Sequence, residues 1–129
     1  MSTHSFQLKL LAFKRALGQL EKALNAPFSE YVRDAAIQRF EFTYELAWNT
    51  LKAYLATIDL SALNAKETLK IAYQQGLITD AKGWGELHVK RNLTTHTYDE
   101  KLADDIYTWL KKDATTLFKA LEKTLSQLS

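Results

Sequence analysis

The sequence predicts an all-α protein, an up-and-down antiparallel bundle of four to five helices. Three observations lead there. Apolar residues recur every three or four positions along most of the 129 residues, the period of one helix face. One Pro and four Gly are too few for the many tight turns of an all-β domain. Short polar residues that cap helices stand ahead of most periodic stretches.

The first helix is expected from about Ser5 to Ala26, with Phe6, Leu10, Phe13, Leu17, Leu20 and Leu24 on its buried face. Pro27 ends it, because the residue before a proline is pushed out of helical geometry. Ser29 caps a second helix that runs to about Thr57 and carries Val32, Ile37, Phe40, Tyr44, Trp48, Leu51 and Leu55 on one stripe. Asn64 opens a short third helix, with Glu67 as its capping-box partner and Leu69, Ile71 and Tyr73 as apolar residues. Gly76 closes it as a left-handed cap.

Thr79 or Asp80 caps the fourth helix, from Ala81 to about Leu93. It is locally weak, since Gly83 and Gly85 each cost about 1 kcal/mol against Ala. They flank Trp84, which points to an indole packed where a neighbouring backbone comes close. The polar run Thr94-Thr95-His96-Thr97-Tyr98 interrupts the pattern. Thr97 and Glu100 then form a second capping box, and a last helix runs to about Gln127 with Leu102, Ile106, Trp109 or Leu110, Leu117, Leu121 and Leu125 on its stripe.

Composition narrows function. A chain of 129 residues fits a single domain, 1–129, without repeats or linkers. Hydrophobic residues at 47% and aromatics at 12% exclude disorder. Absence of Cys excludes disulfides, zinc–thiolate sites and a cysteine nucleophile. Seventeen basic and 15 acidic residues leave a net charge of +2, which argues against polyanion binding by bulk charge. No apolar run approaches the roughly 20 residues of a membrane span. The opening residues, with His4 and Lys9, lack the apolar stretch of a signal peptide, so a cytoplasmic location is expected.

One stretch concentrates chemistry. Arg91, Asn92, His96 and Tyr98 put a guanidinium, an amide, an imidazole and a phenol within eight positions, in the break between the fourth and last helices. On an unbroken helix Arg91 and His96 would point about 140° apart, so they converge only if the helix ends between them. The β-branched pair Thr94-Thr95 predicts that break. Trp84, His88 and Arg91 share one face of the fourth helix. Two interpretations stand side by side. In one, Arg91 clamps phosphate oxygens and His96 acts as general base on a ribose 2′-hydroxyl, cleaving RNA without a metal. A single His is poorly placed to be base and acid on opposite sides of the phosphorus, so that reading requires two copies across a dimer axis. In the other, Arg91 caps helix carbonyls and His96 binds backbone in a turn.

Other candidates carry less. Glu41 and Glu45 are four apart beside Phe40, Phe42 and Tyr44; they either pair with Arg91 or form a half-exposed face. His4 and His88 are too isolated for a metal site, which needs three or four convergent ligands. Trp48, Trp84 and Trp109 read as core or interface residues. Lys111, Lys112, Lys119 and Lys123 make a basic face diluted by Asp113 and Glu122.

The pattern Arg91-Asn92-x-x-x-His96-x-Tyr98 resembles the Arg-x4-His-x-Tyr signature of HEPN domains of the HepT type, in the branch called nucleotidyltransferase substrate-binding proteins. The stretch Phe40 to Trp48, Trp84, and Tyr98-Asp99-Glu100 fit the same branch. The resemblance implies a helical homodimer with the motif at the dimer cleft, complexed with a small minimal nucleotidyltransferase and needing no cofactor. In the toxin members of such toxin–antitoxin pairs, Arg and His cleave RNA without metal, and the nucleotidyltransferase silences them by attaching AMP to the motif Tyr. Carried over, Arg91 and His96 become the nuclease pair, Asn92 an accessory polar group and Tyr98 the AMP acceptor; Glu41 and Glu45 match helix-two positions as further accessory residues. An alternative role for the branch is a non-catalytic subunit that binds a nucleotide or other substrate for its nucleotidyltransferase.

Overall fold

The computed structural model describes residues 3–129. Its order is α1 (Thr3–Asn25), α2 (Glu30–Thr57), α3 (Ala65–Gln74), α4 (Ala81–Leu93), a 3-10 turn (Thr94–His96), α5 (Glu100–Trp109), a π turn (Leu110–Ala114) and α6 (Thr115–Leu128). No strand occurs among the described residues. None of their helices is long and apolar enough to cross a membrane.

The expected stripe of α1 is buried throughout. α1 and α2 form an antiparallel hairpin: Phe6 meets Tyr54 edge-on at 5.2 Å at one end, and Arg39 Nη1 donates to the Gln19 carbonyl at 2.7 Å towards the other. Phe118 sits at the centre of the bundle, touching Phe13 of α1, Phe40 of α2 and Trp84 of α4 at ring separations of 6.1, 6.3 and 5.8 Å. Burying a ring of this size contributes about 1.5–3 kcal/mol, and edge-on aromatic pairs add to it.

Cap chemistry sets the element boundaries. Ser29 accepts from Val32 N at 3.0 Å, Asn64 from Glu67 N at 2.9 Å and Asp80 from Gly83 N at 2.8 Å. Gly76 follows α3 with φ of 76°, the left-handed geometry that glycine adopts without strain. The last cap differs from expectation. Asp99 accepts from Leu102 N at 3.2 Å and starts α5, whereas the Thr97 hydroxyl donates back to the Thr94 carbonyl. Thr97 lies too early because the 3-10 turn and the residues after it consume chain before α5 begins.

The last helix is one run of helical backbone with a π turn in the middle, which the periodicity did not predict. Ile106, Leu110, Ala114 and Phe118 are all fully buried at steps of four. Each step of four on a regular α-helix drifts about 40° off its face. The wider π turn takes up that drift and keeps the series on the core.

Trp84 is buried at 3% exposure, as expected, but by a different route. A side chain, not a neighbouring backbone, comes close: a Cβ on Gly83 would lie 2.6 Å from Asp80 Oδ2 and 2.8 Å from Leu117 Cδ2. Gly85 faces open space.

Candidate functional site

The helix breaks between Arg91 and His96. α4 ends at Leu93, and the 3-10 turn carries His96 to the start of the connection into α5. The Thr94 side chain is buried and fastens the break: its hydroxyl donates to the Arg91 carbonyl at 2.7 Å and accepts from Arg91 Nη1 at 3.2 Å.

Arg91 turns towards α2. Its Nε donates to Glu45 Oε2 at 3.1 Å, and its Nη1 lies 3.9 Å from Glu41 Oε2. All three side chains are partly exposed, at 25, 43 and 36% for Arg91, Glu45 and Glu41. Both expectations for the glutamates therefore hold together: the face is half-exposed, and it pairs with Arg91. Glu45 also accepts from Trp48 Nε1 at 3.0 Å, so its carboxylate is held from two sides. Arg91 does not cap helix carbonyls; its hydrogen bonds end on side chains.

His96 and Tyr98 form the other half of the turn. His96 Nδ1 and the Tyr98 hydroxyl are 3.3 Å apart, with their rings edge-on at 5.9 Å. Both are exposed, Tyr98 at 82%. Asn92 is exposed too, and its carbonyl accepts from the Thr95 hydroxyl. Within the described chain Arg91 and His96 share no hydrogen bond; one is drawn to α2 and the other to Tyr98. Beside Tyr98, a shallow depression is lined by Asp34, Ile37, Gln38 and Glu41 of α2.

Two side-chain contacts escaped the sequence reading. Arg33 is 3% exposed and donates to Glu100 Oε2 at 2.8 Å, Asp104 Oδ1 at 2.9 Å and Asp34 Oδ1 at 3.0 Å. These bonds, Glu100 first, hold its pKa above the ordinary arginine value. Arg33 thereby ties the first turns of α5, just beyond Tyr98, to α2. The second is that of Tyr44, whose hydroxyl lies 2.7 Å from His88 Nδ1. Burial raises the Tyr44 pKa above the usual phenol value; the Glu45 charge adds to this and Arg91 opposes it. The placement of His88 on the Arg91 face of the fourth helix was the available signal.

Lys90, next to the motif, lies 5.5 Å over the Trp109 ring in a cation–π contact. Among the described residues no three His, Asp or Glu side chains are grouped so as to hold a metal ion.

The family model described as "Nucleotidyltransferase substrate binding protein like" matches residues 8–127, nearly the whole chain. The chain belongs to this family. Among solved structures, the nucleotidyltransferase substrate-binding fold seen here matches a crystal structure from Thermus thermophilus with a TM-score of 0.81 at 34% identity, over 88% of this chain and 98% of that one. It also matches HI0074 from Haemophilus influenzae, reported as revealing the fold of a substrate binding domain of a nucleotidyltransferase. That match has a TM-score of 0.69 at 27% identity, over 98% of this chain and all of the other. A curated relative from Haemophilus influenzae, "Probable ribonuclease HepT", is 40% identical over 77 residues. The match covers 56% of this chain and spans about half, 53%, of the relative.

Proposed function

We propose that this family member is the HEPN subunit of a two-component system with a small nucleotidyltransferase, and that it acts as a toxin-type, metal-independent ribonuclease. The observation that carries the proposal is the exposed His96–Tyr98 pair on a turn whose other end holds Arg91. The similarity to "Probable ribonuclease HepT" supports it.

The chemistry runs across a homodimer. His96 of one copy takes the proton of a ribose 2′-hydroxyl through Nε2, the nitrogen not turned to Tyr98. The 2′-oxygen bonds to phosphorus, and the bond to the 5′-oxygen breaks. The protonated imidazole of the second copy returns a proton to that leaving oxygen. The products are a 2′,3′-cyclic phosphate and a 5′-hydroxyl. Arg91, preset by Glu45 and Thr94, faces the charge that grows on the phosphoryl oxygens. Asn92 adds a polar group at the end of α4 just before the turn, and Glu41 helps hold Arg91.

Tyr98 supplies the control point. Its oxygen attacks the α-phosphorus of ATP on the nucleotidyltransferase, pyrophosphate leaves, and the phenol proton is lost. The atom modified is the one facing His96 Nδ1, so AMP there replaces a hydroxyl with a charged ester beside the general base.

The test is RNA cleavage by the purified chain in EDTA. Cleavage that disappears in His96→Ala with unchanged folding supports the proposal; equal activity in that variant sinks it. Incubation with the nucleotidyltransferase and ATP should add the mass of AMP, and Tyr98→Phe should prevent it. An unmodified wild-type chain beside an active nucleotidyltransferase counts against Tyr98 as acceptor.

A second reading has its own observation. Arg91 is already paired with Glu41 and Glu45, which offsets the positive charge it offers RNA phosphates, and Lys90 is turned onto the Trp109 ring. That favours a non-catalytic subunit that presents a nucleotide or other substrate to the nucleotidyltransferase. It predicts calorimetric nucleotide binding that depends on Arg91, with no cleavage.

A further inference from the structure

A second concavity lies between α3 and α4 and reaches His88, one helical turn before Arg91. It is a groove of about 670 Å³, within the range of small-molecule sites. Leu69, Ile78, Trp84 and Val89 make its floor and walls, and Tyr73, 51% exposed, offers a ring to stack against. Lys66 and Lys70 stand one helical turn apart on the α3 rim. Neither is in an ion pair among the described residues. His88 closes the inner side, with Nδ1 occupied by Tyr44 and Nε2 left over. No carboxylate lines the groove.

We infer that this groove binds an organic anion with a flat apolar body, its ring against Tyr73 and its charged group between Lys66, Lys70 and His88. The charge pattern carries the assignment: an apolar trough edged by two unpaired cations and no anion repels cations and gives a neutral ligand no use for the lysines. A nucleoside monophosphate and an aromatic carboxylate share the required chemistry. The site is independent of the ribonuclease reading, since it uses neither His96 nor Tyr98.

Gly85 provides a clean test. A Cβ there meets no atom within 4 Å and Gly85 lines the groove, so a larger side chain starts from open space at the groove wall. The probe is anilinonaphthalene sulfonate, followed by fluorescence titration of the full chain. The wild type should bind it at one saturable site. Gly85→Leu should abolish that site while the thermal midpoint holds or rises, because glycine is the poorer helix former. Lys66→Glu with Lys70→Glu should weaken binding between about threefold and tenfold. Displacement by AMP would assign the ligand to the phosphate class, and displacement by indole acetate to the carboxylate class. Displacement by neither at millimolar concentration overturns the inference, as does probe binding untouched by both variants. Sedimentation supplies the last arm: a wild-type dimer that Gly85→Leu turns into a monomer means a second copy occupies the groove, and the inference fails.

Discussion

Arg91 on α4 donates to Glu45 on α2 at 3.1 Å, across 46 positions of sequence. The pair is half-exposed, so it contributes at most about 1 kcal/mol to folding. Its larger effect is on what Arg91 offers an anion. Glu45→Gln should leave stability within about 1 kcal/mol and tighten binding of a labelled single-stranded RNA by a few-fold at low salt. Fluorescence anisotropy reads this directly. Unchanged or weaker binding would speak against Arg91 as a phosphate ligand.

Arg33 should matter to the fold. Its guanidinium is buried, but its partners Glu100, Asp104 and Asp34 are exposed and rehydrate when it is removed. The cost of Arg33→Met is therefore below that of stripping a fully buried pair, about 1–2 kcal/mol from lost charged hydrogen bonds. Urea unfolding measures it, and a loss under about 0.5 kcal/mol would show the contact to be idle.

Two glycines two residues apart should respond in opposite directions. In Gly83→Ala the new methyl collides with Asp80 and Leu117, and the helix-propensity gain does not offset the clash; the expected net loss is about 1–2 kcal/mol. In Gly85→Ala nothing is met, and stability should rise by up to about 1 kcal/mol. Thermal melts of the two variants side by side decide it.

Tyr44 makes stability fall in alkali. Its phenol ionises above the usual range when folded and near pH 10 when unfolded. The stabilisation is complete below about pH 10. Above that the unfolded chain releases a proton the native chain retains, and stability drops by at most about 1.4 kcal/mol per pH unit. Tyr44→Phe should flatten that part of the profile relative to wild type. Parallel profiles would mean that Tyr44 does not contribute.

Much of the fold was legible because it is local. The α1 stripe, the caps at Ser29, Asn64 and Asp80, and the left-handed Gly76 follow from residues a few positions apart. The break after Leu93 was legible too, but its cap was misassigned, because Thr97 and Asp99 both suit the role and only the length of the 3-10 turn decides between them. Arg33 was illegible: its main partners lie 67 and 71 positions away, and nothing in its neighbourhood marks it as buried. After the π turn the expected Leu117, Leu121 and Leu125 are buried, but the wider turn brings Ala114 and Phe118 onto the core as well, which a fixed α-helical period does not show. At the candidate site, the residue types and the break could be read from sequence. The division of Arg91 towards α2 and His96 towards Tyr98 could not, since it depends on which helix lies alongside.

Both fasteners of the motif turn land on α2, Arg33 at one end and Glu41 with Glu45 at the other. The spacing along that single rod, about 18 Å between Arg33 and Glu45, is thus the gauge for the turn. Inserting or deleting one residue between them would swing one fastener about 100° around the axis relative to the other. Length changes should be tolerated in the surface connections and rejected within this stretch, even at solvent-facing positions such as Gln38.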